Sequence, residues 1–439
     1  MTPDASVVIP YFDDQSRLGM LLSALKQQVG GVRFEVVSAD DGSPEPPVIP
    51  AGLGFACAVV RQPDQGFRAA AARNLGAAAA VGELLLFLDG DTLPTAGYLA
   101  AMVNALRAAD DGHGALVVGR RRHADLAAVG PAGALKFLRG DEAATRRGDA
   151  AATPRGNAAG PGIQLLTDPK WLLDGYARTD NLRSATDEDF RLVISAVLGV
   201  DRRLWESIGG FDSGFVGYGG EDWDFAWRAW LSGADFRYEP GALAWHDGPD
   251  AAGRVAPASV DALQVKNAES LRLARTIALP SVRGTGLFLG QPEIVVRYLG
   301  PTSGTAADAA AVACVAGLLA GTDAAVWYPD CVPAAATPRA LPPLLRDDPR
   351  VHAGDVPMAV VARSRYQVWI TQPLTLPATL QECCAAGEWN IPSKLRIRGT
   401  RSMNRNAPEP TGPPAGTLNS VAPQVIPADV SLERWWAGW

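Results

Sequence analysis

Glu83-Leu84-Leu85-Leu86-Phe87-Leu88-Asp89-Gly90-Asp91 is the stretch whose reading decides the fold. An apolar run this short and unbroken, stopped by acids and glycine, reads as a strand buried on both faces. Working back toward the N-terminus, Ser6-Val7-Val8-Ile9-Pro10 is a second such run. A helical pattern follows over Arg17 to Gln28, and a strand over Phe34 to Ser38 ends in Asp40-Asp41-Gly42-Ser43. A Pro-rich link, a strand over Phe55 to Arg61 and an Ala-rich helix over Ala69 to Ala80 complete the alternation. Strands and helices in turn predict an α/β fold, a Rossmann-like and mainly parallel sheet with helices on both faces. Ligands of such sheets bind beyond the carboxyl ends of the strands, and both acidic clusters stand at such ends.

Toward the C-terminus, Gly140 to Gly162 is rich in Gly, Ala, Pro and Arg without periodicity and reads as a mobile loop. Leu192 to His246 is dense in aromatic and acidic residues, and a helix around Ala262 to Ile277 closes the first domain. The expected organisation is a catalytic domain over 1–255, with a mobile or acceptor-loop region at 140–190. A helical connection at 256–286, a smaller α/β domain at 287–400 and a Pro-rich extended tail at 401–439 follow. In the smaller domain Val368-Trp369-Ile370 and Leu376-Pro377 echo Leu86-Phe87-Leu88 and Leu93-Pro94, as in a degenerate repeat. Aligning the Leu-Pro pairs sets Gln372 and Leu374 opposite Asp89 and Asp91, so such a repeat could not hold a cation. The competing reading is an unrelated module for acceptor binding or for self-association into a homo-oligomer.

A length of 439 residues predicts about two or three domains. With 47% hydrophobic and 20% charged residues the composition is that of a globular protein. The net charge of −7 argues against general nucleic-acid binding, although Arg120-Arg121-Arg122 is a local basic patch. The five cysteines show no two-residue spacing, and the adjacent Cys383 and Cys384 read as packing rather than a zinc site. Met1-Thr2-Pro3-Asp4 lacks the basic and apolar regions of a signal peptide, and stretches such as Ala306 to Ala320 are too short or too charged to cross a bilayer. The expectation is a soluble cytoplasmic protein.

Four motifs and one histidine carry chemistry. Asp89-Gly90-Asp91 can place one carboxylate on a divalent cation and another on a sugar or ribose, although its spacing alone reads more readily as a solvated turn. Asp40-Asp41 can accept hydrogen bonds from a base or ribose, and turn propensity alone also explains it. Gln65-Gly66-Phe67-Arg68, leading to Arg73-Asn74, opens a helix between these acidic turns, where arginine suits phosphate oxygens or pairing with the acids. The most informative run is Gly209-Gly210-Phe211-Asp212 with Tyr218-Gly219-Gly220-Glu221-Asp222-Trp223-Asp224. Its glycines let backbone approach a ligand, and its acids open a helix from Asp222 to Leu231 on which Arg228 can pair with Asp224. An aspartate there suits a general base, while simple capping explains one acid but not the whole run. His246, one of four histidines, ends another apolar strand on the same edge as Asp91, where imidazole suits Mn²⁺.

This order of motifs resembles the family 2 glycosyltransferases of the GT-A fold over Ala5 to Asp247. It is also similar, through Gly-Gly-Phe-Asp, Gly-Tyr-Gly-Gly-Glu-Asp and His246, to the C-terminal catalytic segment of the β-1,4-galactosyltransferases. The resemblance implies a metal-dependent, inverting transfer from a nucleotide-diphosphate sugar, UDP being the commonest carrier, to a glycan, peptide or small-molecule acceptor. Pro10, Tyr11, Asp40, Asp41, Arg68 and Asp89 would meet the donor. Asp91 and His246, with Asp89 beside them, would hold Mn²⁺ or Mg²⁺. Asp222 would be the base, and Glu221 and Tyr218 would meet the acceptor. Tyr218 stands where the galactosyltransferases carry tryptophan, which leaves the acceptor open. The nearest rival is a nucleotidyltransferase, but Val7 to Met20 has only Gly19 and no lysine for a triphosphate loop. A catalytically silent nucleotide-sugar-binding scaffold is the other, and the retained acids and His246 speak against it.

Overall fold

The computed structural model describes residues 2–126, 129–145, 163–249, 260–284, 287–302, 304–329, 341–411 and 423–427. The chain divides into two compact units, Met1–Trp230 with Ala234–Glu269, and Leu231–Gly233 with Ser270–Trp439.

The first unit is built on a nine-stranded sheet in the order β3-β2-β1-β4-β8-β6-β9-β5, with β7 on β6. These are β1 (Ala5–Tyr11), β2 (Phe34–Asp40), β3 (Ala56–Arg61), β4 (Leu84–Leu88), β5 (Thr92–Pro94), β6 (Ala115–Asp125), β7 (Gln164–Leu165), β8 (Val197–Asp201) and β9 (Asp235–Asp247). β1 lies parallel to β2 and β4, β2 to β3, and β6 to β9, while β8 runs antiparallel between β4 and β6. The expected α/β architecture with a mostly parallel sheet is borne out. Every residue of β4 is buried, as its unbroken apolar sequence requires, and each such side chain contributes about 1.5–3 kcal/mol. Gly76 lets helix α2 (Ala69–Ala79) lie close on β1, because a Cβ there would come 2.5 Å from Val8. The other helices of this unit are α1 (Gln15–Leu25), α3 (Tyr98–Ala109), α4 (Gly130–Thr145), α5 (Lys170–Arg178), α6 (Arg202–Ser207) and α7 (Glu221–Leu231), and the division between the units falls within α8 (Val260–Thr276). Residues 140–145, expected in the loop, continue α4, and the rest of that expected loop, 146–162, lies outside the described residues.

One irregularity positions the site. The β6–β9 register runs from Gly119↔Glu239 directly to Arg120↔Leu243, so 240–242 have no partner on β6. Pro240 falls in this gap, where no ladder donor is needed. Beyond it, His123 pairs with His246.

The second unit carries a six-stranded sheet in the order β12-β11-β10-β13-β16-β15. Its strands are β10 (Ile294–Tyr298), β11 (Ala325–Tyr328), β12 (Val351–Ala353), β13 (Tyr366–Ile370), β15 (Trp389–Ile391) and β16 (Leu395–Gly399), with β14 (Leu374–Thr375) pairing β17 (Gln424–Val425) apart. Its first four strands are parallel and β16 is antiparallel to β13. This is the permutation β3-β2-β1-β4 followed by an antiparallel neighbour, the arrangement of the first unit again. The order supports the repeat reading. Helix α9 (Thr305–Leu319) lies among Ile294, Val326, Val368 and Ile370, and Cys314, Cys383 and Cys384 are packed in the same core. The adjacent cysteines are therefore core residues. Among the described residues no helix is long and apolar enough to cross a membrane.

Candidate active site

The carboxyl ends of β1, β2 and β4, the start of α7 and the end of β9 carry the expected residues. Half-buried Pro10 and buried Tyr11 end β1, and the Tyr11 carbonyl accepts from the Asp41 amide at 2.8 Å, tying the first two ends together. Asp40 and Asp41 then diverge. Asp40 is fully buried, accepts from the Ser43 amide at 2.9 Å and hydroxyl at 2.5 Å, and pairs with Arg61. Its carboxylate serves the turn. Gly42 makes that turn possible at φ 89°, and any Cβ would sit 2.3 Å from the Asp64 amide. Asp41 accepts from the Arg68 amide at 2.7 Å and from Gln62 at 2.6 Å.

Arg68 caps the start of α2, and its guanidinium donates to Gln65 at 2.6 Å and to the Ser213 carbonyl at 3.1 Å. One turn on, buried Arg73 donates to Asp89 Oδ1 at 2.8 Å and to Glu221 Oε1 at 3.0 Å. Burial alone would lower the pKa of this guanidinium, but the two carboxylates outweigh it and raise it. Of the two roles that the sequence allowed Arg73, the structure shows pairing with the acids. Asn74 donates to the Phe211 carbonyl at 2.7 Å and accepts from the Phe211 amide at 2.9 Å. Two adjacent side chains of α2 thus hold the Gly-Gly-Phe-Asp segment and the first acid of α7.

Helix α7 opens with Glu221, Asp222 and Asp224 in its first turn. Asp224 is buried and pairs with Arg228 at 2.8 Å, the partner expected from their spacing. Asp222 accepts from the Trp223 amide at 2.9 Å. Burial of its carboxyl, followed by repulsion from Glu221, pushes its pKa up to about 7, and Arg73 opposes both.

At the end of β9, His246 Nε2 lies 3.2 Å from Asp91 Oδ2. Its Nδ1 is 3.0 Å from the Gly248 carbonyl, which can only accept, so Nδ1 carries the hydrogen and Nε2 turns a lone pair toward Asp91. Two electron-rich atoms facing each other suit a cation that both can reach. Asp89 points instead to Arg73, which separates the two acids of the Asp-Gly-Asp run. Among the described residues no cluster of three or more His, Cys, Asp or Glu is arranged to hold a metal.

Three neighbours escaped sequence reasoning. His123 is buried with its ring 5.1 Å from that of His246 and Nδ1 3.5 Å from Asp168. Asp247 is buried against the Leu126 amide and Arg17. A cleft of about 340 Å³ is lined by Arg17, Asp125, Gln164, Asp247 and Gly248. Only the strand-end position of Asp247, next to His246, signalled any of these. Arg122 stacks on Trp245 at 4.5 Å and pairs with Asp168, so this member of the basic run faces inward.

Residues 6–130 match the model described as glycosyl transferase family 2, and residues 186–244 match one described as the N-terminal domain of galactosyltransferase. The expected resemblance is thereby shown, and the chain carries a family 2 glycosyltransferase segment. Among curated proteins, a hyaluronan synthase of Pasteurella multocida is 29% identical over 247 residues, 56% of this chain and 24% of the relative. A chondroitin synthase of Escherichia coli is 29% identical over 248 residues, 56% of this chain and 34% of the relative. The chain thus spans about a quarter to a third of the length of these relatives. Among solved structures, a mannosyltransferase of Pyrobaculum calidifontis in complex with GDP-Man and Mn²⁺ aligns at 17% identity with a TM-score of 0.36, covering 64% of this chain and 67% of that one.

Proposed function

We propose that the chain transfers a sugar from a nucleotide-diphosphate sugar, UDP-linked by first expectation, to an acceptor hydroxyl in one inverting displacement. The observation that carries this reading is the Arg73 bridge between Asp89 and Glu221, which joins the donor acid to the acceptor acid beside Asp222.

Pro10, Tyr11 and Asp41 line the nucleotide end, Arg68 faces the diphosphate, and Asp89 meets the donor sugar or ribose. Asp91 and His246 fit a divalent cation, Mn²⁺ or Mg²⁺, because a hard carboxylate and an imidazole lone pair face each other across 3.2 Å. When bound, the cation neutralises charge on the departing diphosphate. Glu221 and Tyr218 hold the acceptor. Asp222 removes the hydroxyl proton as the acceptor oxygen attacks the anomeric carbon opposite the nucleotide. The C1–O bond to the β-phosphate breaks with its electron pair leaving on the nucleoside diphosphate, and the proton remains on Asp222. A carboxylate with a pKa near 7 is a stronger base than an exposed one and is still ionised in useful measure at neutral pH.

A thermal-shift panel of nucleotide sugars with and without Mn²⁺ tests the reading, since a ligand that binds only the folded state raises its melting temperature. One nucleotide sugar should stabilise the protein in a Mn²⁺-dependent way and be slowly hydrolysed. Stabilisation by nucleoside triphosphates alone, with pyrophosphate exchange, would favour a nucleotidyltransferase. Binding without turnover by any acceptor would favour a silent scaffold.

A further inference from the structure

One row of side chains crosses every strand of the six-stranded sheet. The registers align His352, Trp327, Arg297, Trp369, Arg396 and Asn390 in that order. Cross-strand partners share a face, so aromatic and cationic groups alternate along it. Trp327 stacks on His352 at 4.6 Å, and the guanidiniums of Arg297 and Arg396 lie 5.1 and 4.8 Å from the centre of the Trp369 ring. The row stands one residue from the carboxyl ends of β10, β11 and β13. β10 has β11 on one side and β13 on the other, so the row crosses the point where strand order reverses. Ligands of open α/β sheets bind at that point.

Helix α9 occupies the opposite face, with Ile294, Val296 and Tyr298. Aligning β13 with β4, five residues each, sets Trp369 in the place of Phe87 and, through the registers, Arg297 in the place of Val8. In the first unit the eleven-residue α2 lies on Val8 through Gly76. The helix before β13, Met358–Arg363, has six residues, and its Val360 packs on the cluster of Val295, Ala325 and Trp327. A guanidinium thus stands where the first unit buries a valine. Arg297 is half-buried, donates to Gln367 at 2.8 Å, and forms no ion pair with a carboxylate among the described residues. Burial pulls its pKa down, and Asp355 offsets this in part. Arg396 shows what the row accepts. The Glu409 carboxylate pairs with it, lies 3.9 Å from Arg398 and accepts from Asn390 at 3.5 Å. The side chains of Arg396 and Glu409 are 36% and 49% exposed, so the pair is open to exchange. Arg396 also keeps a buried Nε without an acceptor among the described residues.

We propose that Arg297 and Arg396 form an anion site of the second unit for a soluble ligand carrying two linked phosphoryl groups. The two arginines stand two strand spacings apart, roughly 10 Å. That is wider than one carboxylate spans and suits a diphosphate with one phosphoryl group on each guanidinium. Trp369 holds both guanidiniums by their faces, which leaves their N–H edges for pairs of phosphate oxygens. Glu409 occupies half of the site as an internal carboxylate that the ligand displaces. Neither Asp91 nor His246 takes part, so the site needs no divalent cation, and the inference stands whether or not the chain turns over a sugar donor.

Titration calorimetry of the full chain in EDTA, with inorganic phosphate and inorganic pyrophosphate as probes, tests this, because chelation keeps any cation from the corner of Asp91 and His246. Pyrophosphate should bind one to one and at least about tenfold more tightly than phosphate, since its two groups are linked. Arg297→Met and Arg396→Met should each weaken pyrophosphate binding at least about tenfold. Arg297→Lys keeps the charge without the fork and should recover only part of the loss. Glu409→Gln frees Arg396 and should tighten binding about two- to fivefold, a gain that no misfolded variant would give. Absence of pyrophosphate binding, parental affinity in both methionine variants, or weaker binding in Glu409→Gln would each overturn the proposal. So would capture on phosphatidic acid vesicles of a protein that ignores pyrophosphate, which would assign the two arginines to a lipid surface.

Discussion

His246 Nε2 and Asp91 Oδ2 face each other at 3.2 Å, one near the end of β9 and the other just before β5, whose Thr92 pairs with His246. The Gly248 carbonyl, by holding Nδ1, keeps the imidazole in the tautomer that a cation requires. His246→Ala should therefore raise the dissociation constant for Mn²⁺ in the presence of UDP by roughly 10–100-fold. Calorimetry reads this directly, and unchanged affinity would remove His246 from the ligand set.

Asp222 is assigned the acceptor proton. Asp222→Asn preserves shape but cannot take a proton at neutral pH, so turnover should fall by a factor on the order of 10² to 10⁴. Affinity for the nucleotide sugar, read by thermal shift, should change little. Near-parental turnover would hand the role to another group.

The same carboxyl sets the pH behaviour. With a pKa near 7, Asp222 is protonated and inactive as a base in mild acid, so log kcat/KM should climb with unit slope to about pH 7 and then level. Stability follows with the opposite sense. The folded pKa exceeds the ordinary value of 3.8, so the protonated form is favoured by folding. That contribution is complete below pH ~4 and is lost as pH rises through about 7. Asp222→Asn should flatten this part of the stability profile, and a variant with the parent's pH–melting curve would count against the burial of this group.

Arg73 is buried between two carboxylates, and removing a buried partner strands the charges it paired. Arg73→Met should cost on the order of 3–5 kcal/mol of stability in denaturant unfolding. The pH limb of any residual activity should also move upward, because Arg73 is what holds the Asp222 pKa down. A loss below about 1 kcal/mol, typical of a surface pair, would show that the bridge is not sustained in solution.

Much of the site was legible because each chemical residue interrupts or ends an apolar run. Asp91 follows β4, His246 ends β9, and Glu221 with Asp222 follows a glycine pair. Periodicity likewise marked β1, β2, β4 and α2 within a residue or two, since buried strands and Ala-rich helices leave plain patterns. Pairing across the fold was not legible. Arg73 is 16 residues from Asp89 and 148 from Glu221, and nothing local says that one guanidinium meets both. Nor could two adjacent acids in one turn be told apart. Asp40 closes the turn with Ser43 while Asp41 holds the Arg68 amide, a division made by the backbone rather than by residue type. His123 was silent because it lies within a strand, where a lone histidine looks like any packed residue.

The three unpartnered residues in β9 have a consequence for how this edge tolerates change. Side chains alternate along a strand, and an odd insertion reverses which ones share a side with the neighbouring strand. Tyr238 sits opposite Val118 before the gap, whereas His246 sits opposite His123 after it. Deleting any one residue from 240–242 would invert the pleat downstream and turn the imidazole toward the opposite side, with every side chain of the corner left chemically intact. Point substitutions at exposed Pro240 and Gly241 should be borne more easily than at buried Ala242, while a single-codon deletion should silence the imidazole as thoroughly as replacing it.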